Sequence, residues 1–295
     1  MSVNIPTHFA QQFATNIDLL LQQRGSRLRP MVTEDSYLGE QASPVDQLGA
    51  VEMQAVTTRF GQMGRVDATA DRRWVLPSDF DLPQLIDSFD KLRLLTDPSS
   101  KYVENAVYAA GRQIDRELIK AFFGSANTGK TGTTPTALPG GQTIDNAFGS
   151  AASVGLTVAK LREAKKILMA ADVDLDRDPL TCAVTAEQHD DLLAESQIIS
   201  TDYNDRPVLV DGKIDRFLGI NFVHTELLSA TADPYRQVPV WAQSGMHLGI
   251  WNDIRTSLSI RHDLQGEPFQ AYVYMTVGAT RLEEKKIVEI ECDEA

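Results

Sequence analysis

The chain has 295 residues, 42% of them hydrophobic and 23% charged, with 28 basic against 41 acidic side chains and a net charge of -13. This composition excludes disorder and collagen-like structure, no stretch reaches the roughly 20 consecutive apolar residues of a membrane-spanning helix, and the acidity argues against bulk attraction to nucleic acid. The length allows one large domain or two closely joined ones, either with a substantial core.

Residues 1–10 have neither a basic n-region nor a continuous apolar h-region, the pattern of a soluble protein made without export. Residues 7–24 then place Phe9, Phe13, Ile17, Leu20 and Leu21 at helical spacing before Gly25, which predicts a short amphipathic helix. From 26 to 46 the periodicity disappears, and Pro30, Gly39 and Pro44 punctuate a polar, extended, arm-like stretch. Residues 51–76 alternate loosely around Gly61 and Gly64 and predict a long two-stranded excursion, which cannot bury both faces by itself. Within it Arg59, Arg65, Arg72 and Arg73 outnumber Asp67 and Asp71, a local +2 in an acidic chain. Arg72-Arg73-Trp74 is the most prominent cluster, because Arg and Trp are enriched at interface hot spots; Trp74 would serve equally well as core.

Asp97-Pro98 supplies a helix N-cap and a proline at the first helical position, and the helix runs to Phe123 before Gly124 closes it. Its apolar line is Val103, Val107, Ala110, Ile114, Leu118, Ala121 and Phe122. At 1.5 Å per residue, 98–123 would span roughly 39 Å, a length suited to a spine. Gly111 in its middle costs about 1 kcal/mol relative to Ala and points to close packing there. A Gly/Thr/Pro-rich loop, 124–141, leads to a second helix over 157–171. Residues 172–205 then hold ten carboxylates against Arg177 alone, so -9 of the -13 falls in this stretch; such a run is either a solvated face or a patch for a complementary surface. Beyond it the pattern predicts a buried run at 181–185, a helix over 186–196, and strands at 208–210 and 214–224 separated by Asp211-Gly212. The remaining predicted strands are 238–241, 247–251, 258–260, 271–277 and 287–292. No fixed-period repeat is present, which excludes solenoids and propellers.

Three patterns suggest chemistry. Residues 124–131 match G-x-x-x-x-G-K-[ST] letter for letter. A phosphate-binding loop must leave a buried strand and enter a helix, whose N-terminal N–H groups hold the phosphates; here it leaves a long helix and runs into Gly132-Thr133-Thr134-Pro135. Asp172, Asp174, Asp176 and Asp178 alternate like the start of an EF-hand loop, but Arg177 replaces the turn glycine and Ala183 stands where a bidentate Glu should close the site. The five histidines show no HExxH spacing, and there is no G-x-S-x-G elbow. Cys182 and Cys292 form no metal or redox motif and read as reduced, packed thiols. No catalytic, cofactor-binding or metal residue is therefore assigned.

The order of parts, with several local phrases, resembles the major capsid proteins of tailed bacteriophages, which have the HK-ninety-seven type fold. The resemblance rests on the N-terminal arm, the excursion from Arg59 to Leu76, the segment from Phe80-Asp81 to Thr96-Asp97-Pro98, and the long helix ending Ala121-Phe122-Phe123-Gly124. It continues through Pro139-Gly140-Gly141, Phe217-Leu218-Gly219-Ile220-Asn221-Phe222-Val223 and Val277-Gly278-Ala279-Thr280-Arg281-Leu282. It implies an α+β fold with an N-arm (1–46), an extended E-loop (47–90), a peripheral domain carrying the spine helix (91–178), an axial domain (179–250), and strands returning to the peripheral domain (251–295).

The function it implies is self-assembly, through hexamers and pentamers, into the icosahedral head enclosing double-stranded DNA, without catalysis, cofactor, membrane contact or specific DNA binding. Location in the virion and assembly in the host bacterial cytoplasm follow, with a portal protein and a separate scaffolding protein as partners, since the chain starts almost directly at the arm. Candidate intersubunit contacts are Arg59, Arg65, Arg72, Arg73 and Trp74 on the excursion, and Phe9 and Phe13 on the arm. A phosphate-loop nucleotide enzyme, resting on eight residues in the wrong setting, and a soluble α+β ligand-binding module, which does not explain the arm and the hairpin, are the alternatives.

Overall fold

A computed structural model of the chain describes residues 22–40, 42–55, 58–59, 61, 64–86, 99–150, 152–195, 214–228, 230–232 and 235–294. Its elements, in order, are β1 (Thr33–Ser36), β2 (Asp46–Leu48), β3 (Ala70–Trp74), β4 (Ser78–Ile86), α1 (Ser99–Phe123), β5 (Ala126–Thr128), β6 (Thr134–Thr136), β7 (Thr143–Ile144), α2 (Val158–Ala170), β8 (Leu180–Val184), α3 (Ala186–Ala194), β9 (Arg216–Phe217), β10 (Ile220–His224), β11 (Ala230–Ala232), β12 (Tyr235–Ala242), β13 (Met246–Ile260), β14 (Phe269–Arg281) and β15 (Ile287–Asp293). They divide into two compact units. The long elements α1, β13 and β14 each contribute one part to each unit.

The first unit comprises the chain up to Ser26, Asp79–Gln113 and Asn252–Thr276. In it the outer parts of β13 and β14 lie in the order β13-β14-β4. β14 buries Ala271, Val273 and Met275 at alternate positions, as its period-two pattern requires. β4 tolerates Pro83 because it is an edge strand, where a missing N–H need not cost a ladder bond. Residues 22–26 run along the first half of α1: Gln22 Nε2 donates to Asn105 Oδ1 at 2.9 Å, and Arg112 Nη1 donates to Gln22 Oε1 at 2.7 Å. The backbone of Gly25, at φ +74°, crosses the helix at Gly111, where a Cβ would stand 2.5 Å from its carbonyl carbon. The close packing expected at Gly111 is thus made by the end of the arm.

The second unit comprises Arg27–Ser78, Ile114–Trp251 and Val277–Ala295. Its centre is a mixed sheet in the order β7-β15-β12-β8-β10-β9, with β11 paired to β12. β8 is buried at all five positions because it lies inside the sheet, between β12 and β10. Thr157 caps α2 by accepting from Lys160 N, and Gln188 Oε1 reaches back to Thr185 N at 3.0 Å to start α3. One hydrophobic core joins Leu161, Ala164 and Leu168 of α2, Leu192 of α3, Cys182 and Val184 of β8, Val238 and Val240 of β12, and Val288 and Ile290 of β15. Lys160 is fully buried beside this core and donates to Val154 O and Glu291 O, at 2.7 and 2.8 Å; burial lowers its pKa. A small sheet in the order β2-β3-β5-β6 and the parallel pair β1–β13 complete the unit.

Several expectations are corrected. In the second unit α2 shares its core with the strands that follow residue 178, and β15 pairs with β12 in the same sheet. The strands expected at 247–251 and 258–260 are one continuous strand, because the polar residues between them occupy its exposed half. The loop 124–141 contains the β5–β6 hairpin. Among the described residues the excursion is paired as strands at its root, β2 with β3. The helix expected over 7–24 and the strand at 208–210 lie outside the described residues, apart from residues 22–24.

Candidate assembly surfaces

The root of the excursion is set by strand alternation. Asp46 of β2 stands opposite Arg72 of β3, and the guanidinium grips the carboxylate twice, Nε to Oδ1 at 2.5 Å and Nη2 to Oδ2 at 2.9 Å. Arg72 holds the Asp46 carboxyl below the usual carboxylate range. Its guanidinium also lies 5.6 Å from the centroid of the Trp74 ring, two residues along on the same face. Trp74 Nε1 donates to Gly129 O at 2.7 Å, which ties β3 to the β5–β6 turn, and Gly129 N donates to Asp71 Oδ1 at 3.1 Å.

Arg73 points the other way. It is 5% exposed, its Nη2 meets Glu284 Oε2 at 2.5 Å, and its Nε donates to Leu282 O at 3.0 Å; Gln47 of β2 donates to the same carbonyl. The expectation of one exposed Arg72-Arg73-Trp74 cluster is therefore corrected, since period-two geometry turns the middle residue inward. Beyond the root, Arg59 is exposed, and Arg65 is 85% exposed and pairs locally with Asp67 at 2.8 Å. Val51, Met53 and Val66 are exposed along the same excursion. Phe9 and Phe13 lie outside the described residues.

Arg281 is a residue whose role sequence reasoning missed. It is fully buried at the end of β14, and its Nη1 and Nη2 donate to Phe122 O at 2.8 Å and Thr136 O at 2.9 Å, capping the last turn of α1 with a cation. Burial lowers its pKa from the ordinary arginine value. The available signal was an arginine ending an otherwise buried alternation.

The patterns that suggested chemistry have other structural roles. The phosphate-loop motif leaves α1, where Gly124 N donates to Lys120 O at 2.8 Å, and passes through β5 into a hairpin turn with positive φ at Gly129 and Gly132. Strand β6 follows, so the helix N-terminus that would hold phosphates is not built at this turn. In the acidic ladder, Asp174 Oδ1 accepts from Asp176 N at 3.1 Å and Arg177 N at 3.4 Å, and Asp178 accepts from Ser244 N and Oγ. Among the described residues no three acidic, histidine or cysteine side chains converge as metal ligands. Cys182 and Cys292 are buried free thiols, and burial pushes the Cys292 pKa up to about 12.

A family model described as phage capsid protein matches residues 5–294. The chain belongs to that family. No curated protein sequence matches it. Among solved structures, the capsid of cyanophage P-SCSP1u is similar at 15% identity and TM-score 0.76, covering 100% of this chain and 96% of that one. The cyanophage Pam1 capsid follows at 11% identity and TM-score 0.74, covering 98% and 97%. The capsid of a native GTA particle has 10% identity and TM-score 0.70, covering 99% of both chains. At such identities the likeness establishes fold, and the fold is the HK-ninety-seven type capsid fold. This phage capsid protein is a structural subunit of a viral shell.

Proposed function

We propose that this capsid protein closes, through hexamers and pentamers, into an icosahedral head around double-stranded DNA, with no catalysis of its own. The observation that carries this reading is the excursion. Its root is tied to the subunit through Arg73, Glu284, Trp74 and Gly129, while Val51, Met53, Val66, Arg59 and Arg65 beyond the root stay exposed. A segment anchored firmly and left uncovered is suited to lie across a neighbouring subunit. The reading includes assembly in the host bacterial cytoplasm with separate scaffolding and portal proteins. The net charge of -13 fits a container that holds its DNA without gripping it, because few phosphates would be neutralised at the wall. Negative-stain microscopy and sedimentation of the purified protein are expected to detect capsomers or shells. A stable monomer whose melting rises with nucleotide, an effect abolished by Lys130→Ala, would overturn the reading in favour of an enzyme.

A further inference from the structure

In the first unit, β4 presents Asp79, Asp81, Pro83 and Leu85 at alternate, exposed positions. Beside them on β14, Tyr272 and Tyr274 stack with ring centroids 5.3 Å apart and planes inclined by 26°. Tyr272 Oη donates to Asp81 Oδ2 at 3.4 Å, and Thr276 Oγ1 donates to Asp79 Oδ1 at 2.7 Å. These bonds hold the two carboxylates and the two rings on one face of the sheet. Among the described residues neither carboxylate pairs with a basic side chain. Carboxylates held beside stacked phenol rings suit a guanidinium: the carboxylate accepts its parallel N–H bonds, and a ring face accepts the flat cation.

The same chain carries the complementary groups. Arg59 and Arg65 stand exposed on the excursion, and Val51, Met53 and Val66 stand exposed on its limbs. On β4 the order along the strand is two carboxylates and then two apolar residues, spanning roughly 20 Å from 79 to 85. On the excursion Val51 and Met53 precede Arg59, and Arg65 stands beside Val66, so exposed cations and exposed apolar side chains alternate along it. The geometry points to one assignment, which rests on the capsid reading: the face formed by Asp79, Asp81, Tyr272 and Tyr274 receives Arg59 and Arg65 of a second copy of this chain, while Pro83 and Leu85 cover its exposed apolar residues.

The acidic stretch 172–205 is the competing acceptor, and several of its carboxylates are already engaged inside the subunit. Asp174 caps two backbone N–H groups, Asp178 holds Ser244, and Asp191 accepts from Leu156 N at 2.9 Å. That stretch also lacks an aromatic residue among its described positions.

Charge reversal and swap test the assignment in the full-length chain, with circular-dichroism melts as a folding control. Arg59→Glu with Arg65→Glu, and separately Asp79→Arg with Asp81→Arg, are each expected to lower shell yield about tenfold, and the four changes together to restore most of it. Independently, subunits carrying Arg65→Cys, mixed with subunits carrying Asp81→Cys and oxidised after assembly, are expected to give a disulfide-linked dimer that neither gives alone. The native thiols are buried and will not interfere. If the wild-type chain forms no shells, the capsid reading itself fails and this assignment with it. If wild-type shells form but the Asp79→Arg, Asp81→Arg chain assembles normally, or the mixed subunits give no dimer, the assignment falls and the capsid reading stands.

Discussion

Arg72 and Arg73 are neighbours in sequence with opposite surroundings, because successive side chains of a strand point to opposite faces. Arg73 and Glu284 form a nearly dry pair, with side chains 6% and 11% exposed, and removing one partner leaves the other charge buried without its ion-pair partner. Arg73→Met is therefore expected to destabilise the subunit by about 3–5 kcal/mol, and Arg73→Met with Glu284→Met to recover much of that loss, as measured by chemical denaturation. His247 makes a second prediction at this scale. Thr33 Oγ1 donates to Met246 O at 2.7 Å, so towards His247 Nδ1, 3.1 Å away, it accepts; His247 thus carries its proton on Nδ1, and its Nε2 accepts from Tyr37 Oη at 2.9 Å. Burial lowers the His247 pKa, and the nearby Asp35 carboxylate opposes that shift only in part. As pH falls below the ordinary histidine value of about 6.5, the unfolded chain takes up a proton that the folded chain refuses, so stability drops. Thermal melts between pH 7.5 and 5 should fall less steeply for His247→Gln than for the wild type; equal slopes would mean that His247 does not contribute.

At the scale of elements, the spine helix was legible as a helix from its apolar spacing, but what it packs against was not. Gly111 is the clearest case. On propensity alone Gly111→Ala should stabilise a helix interior by about 1 kcal/mol, yet the new methyl would meet the backbone of Gly25 and Ser26, which cannot rotate away as a side chain could. The substitution is expected to destabilise by about 2 kcal/mol net and to release residues 22–26, which hydrogen exchange at those amides would detect. The helices α2 and α3 were also legible as helices, and the structure adds the caps that start them, Thr157 and the Thr185–Gln188 pair. The β5–β6 hairpin was not, since three-residue strands in a Thr- and Gly-rich stretch carry too little period to read.

For the whole molecule, the exposed charge of the excursion is expected to matter to assembly more than to folding. Arg72→Glu is expected to leave the subunit folded, because its ion pair with Asp46 is half-exposed, while slowing shell formation and altering its salt dependence. Shells in normal yield and with normal salt dependence would remove this root from the list of contacts. Deleting residues 1–25 is expected to harm assembly more than solubility, since the sequence spaces Phe9, Phe13 and Ile17 as the apolar stripe of an amphipathic helix, which would need a partner. Equal shell yield from the truncated chain would count against an arm that acts between subunits.

The sequence by itself determined the α+β class, the long helix, the strand-rich last third, the uneven charge and the excess of segments that cannot bury themselves. These are local or compositional properties, written in periodicity, caps and counts within a short window. Only the tertiary structure decided that α2 and β15 share a core with β8 and β12, that Arg73 and Arg281 are buried, and that Asp79 and Asp81 stand beside stacked tyrosines. Each of these depends on which distant segments meet, and strand order and register are fixed by long-range pairing that no local window contains.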